Sequence, residues 1–133
     1  MADILIVDAA DQIKSEFSAE RASVQYAENE MQALNKSAGS SSAIILLHYE
    51  ARKNQTPEYI KQLNSVPQSK VVVIAQALSD KDILACLMAG AQGYIKIKDL
   101  GRYSERLLSA ISKGEAWISR RMTAELLNIL RSA

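Results

Sequence analysis

Two side chains that could do chemistry each follow directly on a short aliphatic run. His48, the only histidine of the chain, comes after residues 44–47, and Asp8 comes after residues 4–7. An imidazole, whose ordinary pKa is about 6.5, can act as a pH switch or accept a phosphoryl group, although such a histidine is more often a hydrogen-bonded neighbour. If the two residues lie together, we expect a hydrogen bond or salt bridge that raises the pKa of His48.

The aliphatic runs belong to an alternating pattern of predicted strands and helices. A short apolar run between polar residues is typical of a strand that is buried on both faces of a parallel sheet. Segments with apolar residues at helical spacing separate these runs. The predicted strands are 4–7, 24–27, 44–47, 70–75 and 91–97, and the predicted helices are 11–22, 28–37, one beginning at Pro57, one from Ser79 to Gly90, and 99–113.

This alternation predicts an α/β fold, a doubly wound parallel sheet of the flavodoxin-like kind with strand order 2-1-3-4-5. The order places the first and third strands side by side, so their carboxyl ends bring Asp8 and His48 to one crevice. Ligands and catalytic groups of open α/β sheets collect at such a crevice. A functional site is therefore expected there.

The last residues of the chain are extra to a fold of five such units, so residues 1–116 are assigned to the main domain and residues 117–133 to a C-terminal helix. Ser119 can cap this helix, in which Met122, Leu126, Ile129 and Leu130 line one side. A helix of this length is marginal in water by itself. It is expected either to pack on its own domain or to meet a partner.

The composition of the chain argues against several classes of function. The 16 basic and 15 acidic residues leave a net charge of +1, which gives no electrostatic footprint for nucleic acid or an anionic membrane. The single cysteine, Cys86, lies in an apolar helical pattern and predicts a core residue without disulfide or metal-ligand spacing. The first residues show no signal peptide, which favours a cytoplasmic protein. Without a glycine-rich phosphate loop or a nucleophile with its base, an enzyme or a cofactor is not expected.

Five segments, in the same order along the chain, carry a resemblance to a known family. Residues 3–8, 43–48 and 70–75 resemble the first, third and fourth strands of bacterial response-regulator receiver domains. Residues 89–99 resemble the fifth-strand signature of the NarL/FixJ-type receivers that precede LuxR-type helix-turn-helix domains, and residues 114–127 resemble the receiver end and linker helix of that subfamily. The resemblance implies a CheY-like fold of five strand–helix units and a role in two-component signal transduction.

The resemblance also implies that the phosphorylation pocket is degenerate. A working receiver uses a strand-end aspartate as phosphoryl acceptor, an acidic pair that holds Mg²⁺, and a hydroxyl and a lysine that bind phosphoryl oxygens. The acceptor position matches His48, the acidic pair matches Asp8 and Ala9, and the hydroxyl position matches Ala75. With one carboxylate left, Mg²⁺ should bind weakly, so no metal is expected.

The lysine position of the family falls on Ile97, between Lys96 and Lys98. A bulge of one residue could bring one of these lysines into the pocket, whereas a regular strand would point both the other way. Whether Lys96 or Lys98 contributes to the pocket is left open by the sequence.

The resemblance therefore implies a non-catalytic, atypical receiver that is not switched by aspartyl phosphorylation. Tyr94 matches the aromatic switch position of the fifth strand, and with Lys96, Lys98 and the fourth helix it would form the face for a protein partner or a dimer. A LuxR-type DNA-binding output domain outside this chain would then act on transcription, without direct nucleic-acid contacts from residues 1–133. The alternative is a sensor that binds a small ligand in the vacated crevice.

Overall fold

Five strands are described, and helices follow the first, third, fourth and fifth of them as the sequence pattern predicts. The computed structural model describes residues 3–17, 23–27, 32, 43–65 and 69–132. The strands are β1 (Asp3–Val7), β2 (Ser23–Tyr26), β3 (Ala43–His48), β4 (Ser69–Ala75) and β5 (Gly93–Lys96), and the helices are α1 (Gln12–Glu16), α2 (Thr56–Asn64), α3 (Asp80–Met88), α4 (Ile97–Ser112) and α5 (Arg120–Ser132). The helix predicted for residues 28–37 lies outside the described residues except for Gln32, so α3 is the fourth helix of the sequence prediction.

The five strands form one parallel sheet in the order β2-β1-β3-β4-β5, which confirms the predicted fold class. Val7 of β1 pairs with Leu47 of β3, so these two strands end side by side. The β3 strand pairs with β4 as far as His48 and Ile74. The carboxyl ends of the three central strands therefore meet at one place.

The sheet separates two apolar clusters, because alternate residues of each strand point to opposite faces. Ile4, Ile44 and Leu46 belong to the cluster shared with α1 and α4, whereas Leu5 and Leu47 belong to the cluster shared with α2 and α3. By this alternation His48 lies on the face that α1 and α4 cover. No helix among the described residues is long and apolar enough to cross a lipid bilayer.

Several element boundaries differ from the sequence prediction. The α3 helix begins as expected, with the Ser79 hydroxyl accepting a hydrogen bond from the Asp82 N–H at 3.2 Å. The β5 strand is shorter than predicted, and α4 begins at Ile97 instead of Asp99. The pairing of β5 with β4 is regular as far as Lys96, and α4 begins at the next residue.

The segment before α5 packs on the end of the sheet. The Tyr94 N–H donates to the Trp117 carbonyl at 2.9 Å, and the Trp117 N–H donates to the Gln92 carbonyl at 3.2 Å. Met122 is buried, and the Arg121 guanidinium forms a bidentate ion pair with Asp80 of α3. The first turn of α5 is thus held by its own domain, while Leu130 near its far end is 69% exposed.

Candidate functional site

The carboxyl ends of β1 and β3 form a polar crevice around one buried histidine. The His48 side chain is shielded from solvent, and its Nε2 lies 2.7 Å from Oε1 of Gln12, the first residue of α1. Its Nδ1 accepts a hydrogen bond from the Glu50 N–H at 3.1 Å. Since Nδ1 is the acceptor, the proton is on Nε2, which donates to Gln12. The imidazole is neutral, and both nitrogens are satisfied.

Asp8 has a different set of partners. Its Oδ1 accepts from the N–H groups of Ala9 at 2.8 Å and Ile13 at 2.9 Å, and its Oδ2 accepts from the Lys14 N–H at 2.9 Å. The carboxylate therefore caps the first turn of α1, where unpaired N–H groups and the helix dipole favour negative charge. Three of the roughly four acceptor sites of this carboxylate are thus used by backbone N–H groups.

The expected direct pair between Asp8 and His48 is therefore wrong. Both ring nitrogens are occupied by Gln12 and Glu50, and Asp8 is occupied by the start of α1. The expected direction of the histidine pKa is also wrong. Burial lowers the pKa of His48 below its ordinary value, and the opposing effects of the Asp8 and Glu50 charges are smaller. Desolvation of the imidazolium outweighs attraction to the carboxylates.

The other residues of the degenerate pocket are apolar or point elsewhere. Ala75 is buried at the end of β4 and offers no oxygen, and Ala9 is half-buried beside Asp8. Among the described residues, no three His, Cys, Asp or Glu side chains lie together as metal ligands would. The crevice thus contains hydrogen-bonding groups, but of the two acidic-pair positions, Asp8 and Ala9, only Asp8 carries a carboxylate.

Neither lysine is brought to His48. Lys96 pairs with Ala75, whereas His48 pairs with Ile74, so the Lys96 and His48 side chains leave opposite faces of the sheet. Lys98 lies in the first turn of α4 and is exposed. Ile97, between them, packs against the cluster of the α1 and α4 face. A bulge that would redirect Lys96 is not formed, because the pairing of β5 runs without interruption to this residue.

Sequence reasoning missed three polar residues of the crevice. Gln12, Glu50 and Gln76 line a cavity of about 460 Å³ together with Ala77. Each follows the carboxyl end of one of the three central strands, which is the signal that could have found them. Their amide and carboxylate groups give the mouth of the crevice hydrogen-bonding capacity in front of His48.

Tyr94 of β5 lies on the opposite face, toward α3. Its side chain is half-buried and packs against the cluster that contains Cys86. Burial raises the pKa of Tyr94, assisted by the nearby Asp99 charge and opposed by the Leu78 backbone. Because Tyr94, Lys96 and α3 lie close to Trp117 and Arg121, part of the expected partner face is occupied by the chain's own C-terminal segment.

Cys86 is expected to be unreactive in the folded protein. It is buried, and burial raises the pKa of its thiol to about 11, so little nucleophilic thiolate exists at neutral pH. A disulfide reagent such as Ellman's should modify native protein at least about a hundredfold more slowly than protein in denaturant. Equal rates in both conditions would contradict the assignment of Cys86 to the core.

Comparison with known proteins rests on structure alone. No protein-family model matches the sequence, and no curated protein matches it either. The isolated REC domain of RcsB from Salmonella enterica serovar Typhimurium is similar with a TM-score of 0.75 and 16% identity over 96% of this chain and 99% of that one.

Two regulators described as LuxR family are also similar. One, from Aurantimonas sp. SI85-9A1, has a TM-score of 0.76 and 16% identity over 96% of both chains. The other, from Silicibacter pomeroyi, has a TM-score of 0.67 and 24% identity over 91% of this chain and 99% of that one. At these identities the likeness is one of fold. The chain has the CheY-like fold of response-regulator receiver domains.

Proposed function

We propose that this protein is a signalling module of the receiver type that acts through protein contacts and is not switched by aspartyl phosphorylation. The observation that carries the proposal is the state of His48, which by resemblance stands where a working receiver has its acceptor carboxylate. The imidazole is buried, neutral and hydrogen-bonded at both nitrogens. It can neither form an acyl phosphate nor present a free nitrogen to a phosphoryl donor.

The remaining pocket residues support the same conclusion. Phosphoryl transfer depends on metal ions and cationic groups that neutralise the transferring group. Asp8 is engaged by three backbone N–H groups, Ala75 has no hydroxyl, and Lys96 leaves the other face of the sheet. The electrostatic requirements of the transfer step are therefore unmet by these side chains. We infer a non-enzymatic, cytoplasmic protein of the NarL/FixJ-like kind without a bound cofactor.

The surface of α3 and β5 is proposed as the working face. It presents the exposed side chains of Lys96 and, at the start of α4, Lys98, next to the half-buried Tyr94. A protein partner or a second copy of the chain could bind there. The likeness to regulators described as LuxR family favours a DNA-binding output domain as the controlled element, with transcription as the regulated process.

Incubation with acetyl phosphate and Mg²⁺ is expected to leave the protein unmodified. The physical reason is that the acceptor position holds the imidazole of His48 and that only Asp8, of the two acidic-pair positions, carries a carboxylate. Intact-mass spectrometry checks this, with a receiver of known activity treated in parallel as a control for the reagent. A stable gain of one phosphoryl group on a crevice residue that requires Mg²⁺ would overturn the proposal.

A second candidate function is a small-ligand sensor that uses the crevice itself. It is favoured by the cavity of about 460 Å³ in front of His48, whose lining includes two amides and a carboxylate. A ligand that binds only the folded state raises the melting temperature by mass action. Stabilisation by a polar metabolite that is lost in a Gln12→Ala variant would favour the sensor over a module without a ligand.

A further inference from the structure

A second cavity lies away from the His48 crevice, at the junction of β5, α3 and the start of α5. Its volume is about 560 Å³, and apolar or aromatic side chains, among them Ile83, Tyr94, Trp117 and Met122, form much of its wall. This volume is within the range of small-molecule sites, which are mostly apolar with a few polar groups that fix the ligand. The cavity therefore has the size and lining of a ligand site.

Four charged side chains line this cavity, and two of them form an ion pair with each other. The Arg121 guanidinium binds both carboxylate oxygens of Asp80, so these two charges compensate each other. Lys96 and Asp99 also line the cavity, and neither makes a hydrogen bond or ion pair with a described residue. Among the described residues, the cavity thus has one ammonium and one carboxylate without a hydrogen-bonded or ion-paired partner.

The hydroxyl of Tyr94 adds a neutral polar group. Its oxygen is shielded from solvent and makes no hydrogen bond of normal geometry with a described residue. A buried hydroxyl without a partner is costly unless a ligand or water satisfies it. Tyr94 itself is one of the residues that line the cavity.

We propose that the cavity binds a small zwitterion with a large apolar body, of the class of free amino acids with aromatic or branched side chains. The Lys96 ammonium binds the ligand carboxylate, the Asp99 carboxylate binds the ligand ammonium, and the apolar body packs against Trp117 and Met122. A ligand with a single charge would leave either Lys96 or Asp99 without its counter-charge. The site is separate from the His48 crevice and does not rest on the proposed function, but Tyr94 and Lys96 also belong to the face proposed there for a partner.

The residues that line the cavity connect ligand binding to the position of the C-terminal helix α5. Tyr94 and Lys96 come from the sheet, whereas Trp117 and Met122 come from the segment that leads into α5 and from its first turn. A ligand that contacts both parts binds best when the segment is docked. Occupancy therefore stabilises the docked position of α5.

Trp117 is the only tryptophan of the chain, so its fluorescence reports occupancy directly. L-phenylalanine and L-leucine, titrated into the full chain, are each expected to give a saturable change in emission. Glycine, which lacks the apolar body, should give none. Phenylpropionate and phenethylamine, each lacking one charge of phenylalanine, should bind at least about tenfold more weakly.

Variants test the two assigned charges. Lys96→Met and Asp99→Asn are each expected to weaken phenylalanine binding at least about tenfold, whereas Lys96→Arg should retain it. Lys98→Met is the matched control, because Lys98 is exposed on the same helix start but does not line the cavity. The proposal is overturned if neither amino acid changes the emission at about 10 mM, or if Lys96→Met and Lys98→Met bind phenylalanine equally.

Discussion

Replacing Gly93 by alanine is expected to displace the segment before α5 and to lower the free energy of unfolding by about 2–3 kcal/mol. A Cβ atom at this position would lie 2.6 Å from the Trp117 carbonyl oxygen and 2.8 Å from the Trp117 Cβ. Both distances are below any real contact, and one of the clashing atoms belongs to the backbone. The hydrogen bond from Tyr94 to Trp117 cannot survive the shift that relieves them.

Denaturant unfolding and Trp117 fluorescence measure the two parts of this prediction. The emission of Gly93→Ala should move toward that of an exposed tryptophan in native conditions. Gly114→Ala is the matched control, because its Cβ would meet nothing within 4 Å although its φ is +84°. That variant should cost roughly 1 kcal/mol and leave the native emission unchanged. Wild-type stability and emission in Gly93→Ala would contradict the described packing of Trp117.

The second large effect is a loss of stability on acidification that depends on His48. Burial lowers the pKa of His48 in the folded protein, so the unfolded chain takes up the proton first as pH falls through about 6.5. Between that value and the lower folded pKa, the unfolded state binds more protons and stability decreases with decreasing pH. The slope is at most about 1.4 kcal/mol per pH unit for one proton.

The experiment is a comparison of unfolding free energies between pH 7.5 and 5.5 for the wild type and His48→Gln. No other histidine is present, so the difference between the two slopes reports this imidazole. His48→Gln should be less stable at pH 7.5, because the hydrogen bonds of the neutral imidazole to Gln12 and Glu50 are disturbed. Its free energy of unfolding should, however, vary less with pH than that of the wild type. Parallel profiles would contradict the pKa direction. A wild type that gains stability on acidification relative to the variant would instead indicate a charged pair with Asp8.

The sheet was predictable because its signals are local. The aliphatic runs before Asp8 and His48 are short, rich in β-branched residues and bounded by polar residues, and connections of this length allow few topologies. The strand order then fixed which carboxyl ends meet. The cap on α3 was predictable for the same reason, since Ser79 lies three residues before the N–H that it binds.

The bonding of the crevice was not predictable from the same signals. Asp8 and His48 do follow adjacent strands, but the choice of partners depends on competing donors that only the folded chain brings near. The N–H groups at the start of α1 bind Asp8, and Gln12 then binds the imidazole. A strand-end pattern gives the location of a side chain, whereas its hydrogen bonds depend on the loop conformation around it.

For the C-terminal segment too, part of the structure was predictable from the sequence and part was not. The apolar spacing of Met122, Leu126 and Ile129 predicted a helix with one apolar side, and α5 is such a helix. Which part of that side is covered depends on contacts distant in sequence, such as the ion pair between Arg121 and Asp80. The first turn is docked and Leu130 is exposed, a difference that the spacing alone does not contain.

The β-bridge between Gly93 and Trp117 also has a consequence for aggregation. The β5 strand is the outermost strand on its side of the sheet, and its unpaired N–H and C=O groups could otherwise recruit a strand from another molecule. Trp117 occupies the Tyr94 N–H of this strand and the carbonyl of Gln92, which directly precedes it. A chain that ends before Trp117 would expose this border, and it should associate through added strands at concentrations where the longer chain remains dispersed.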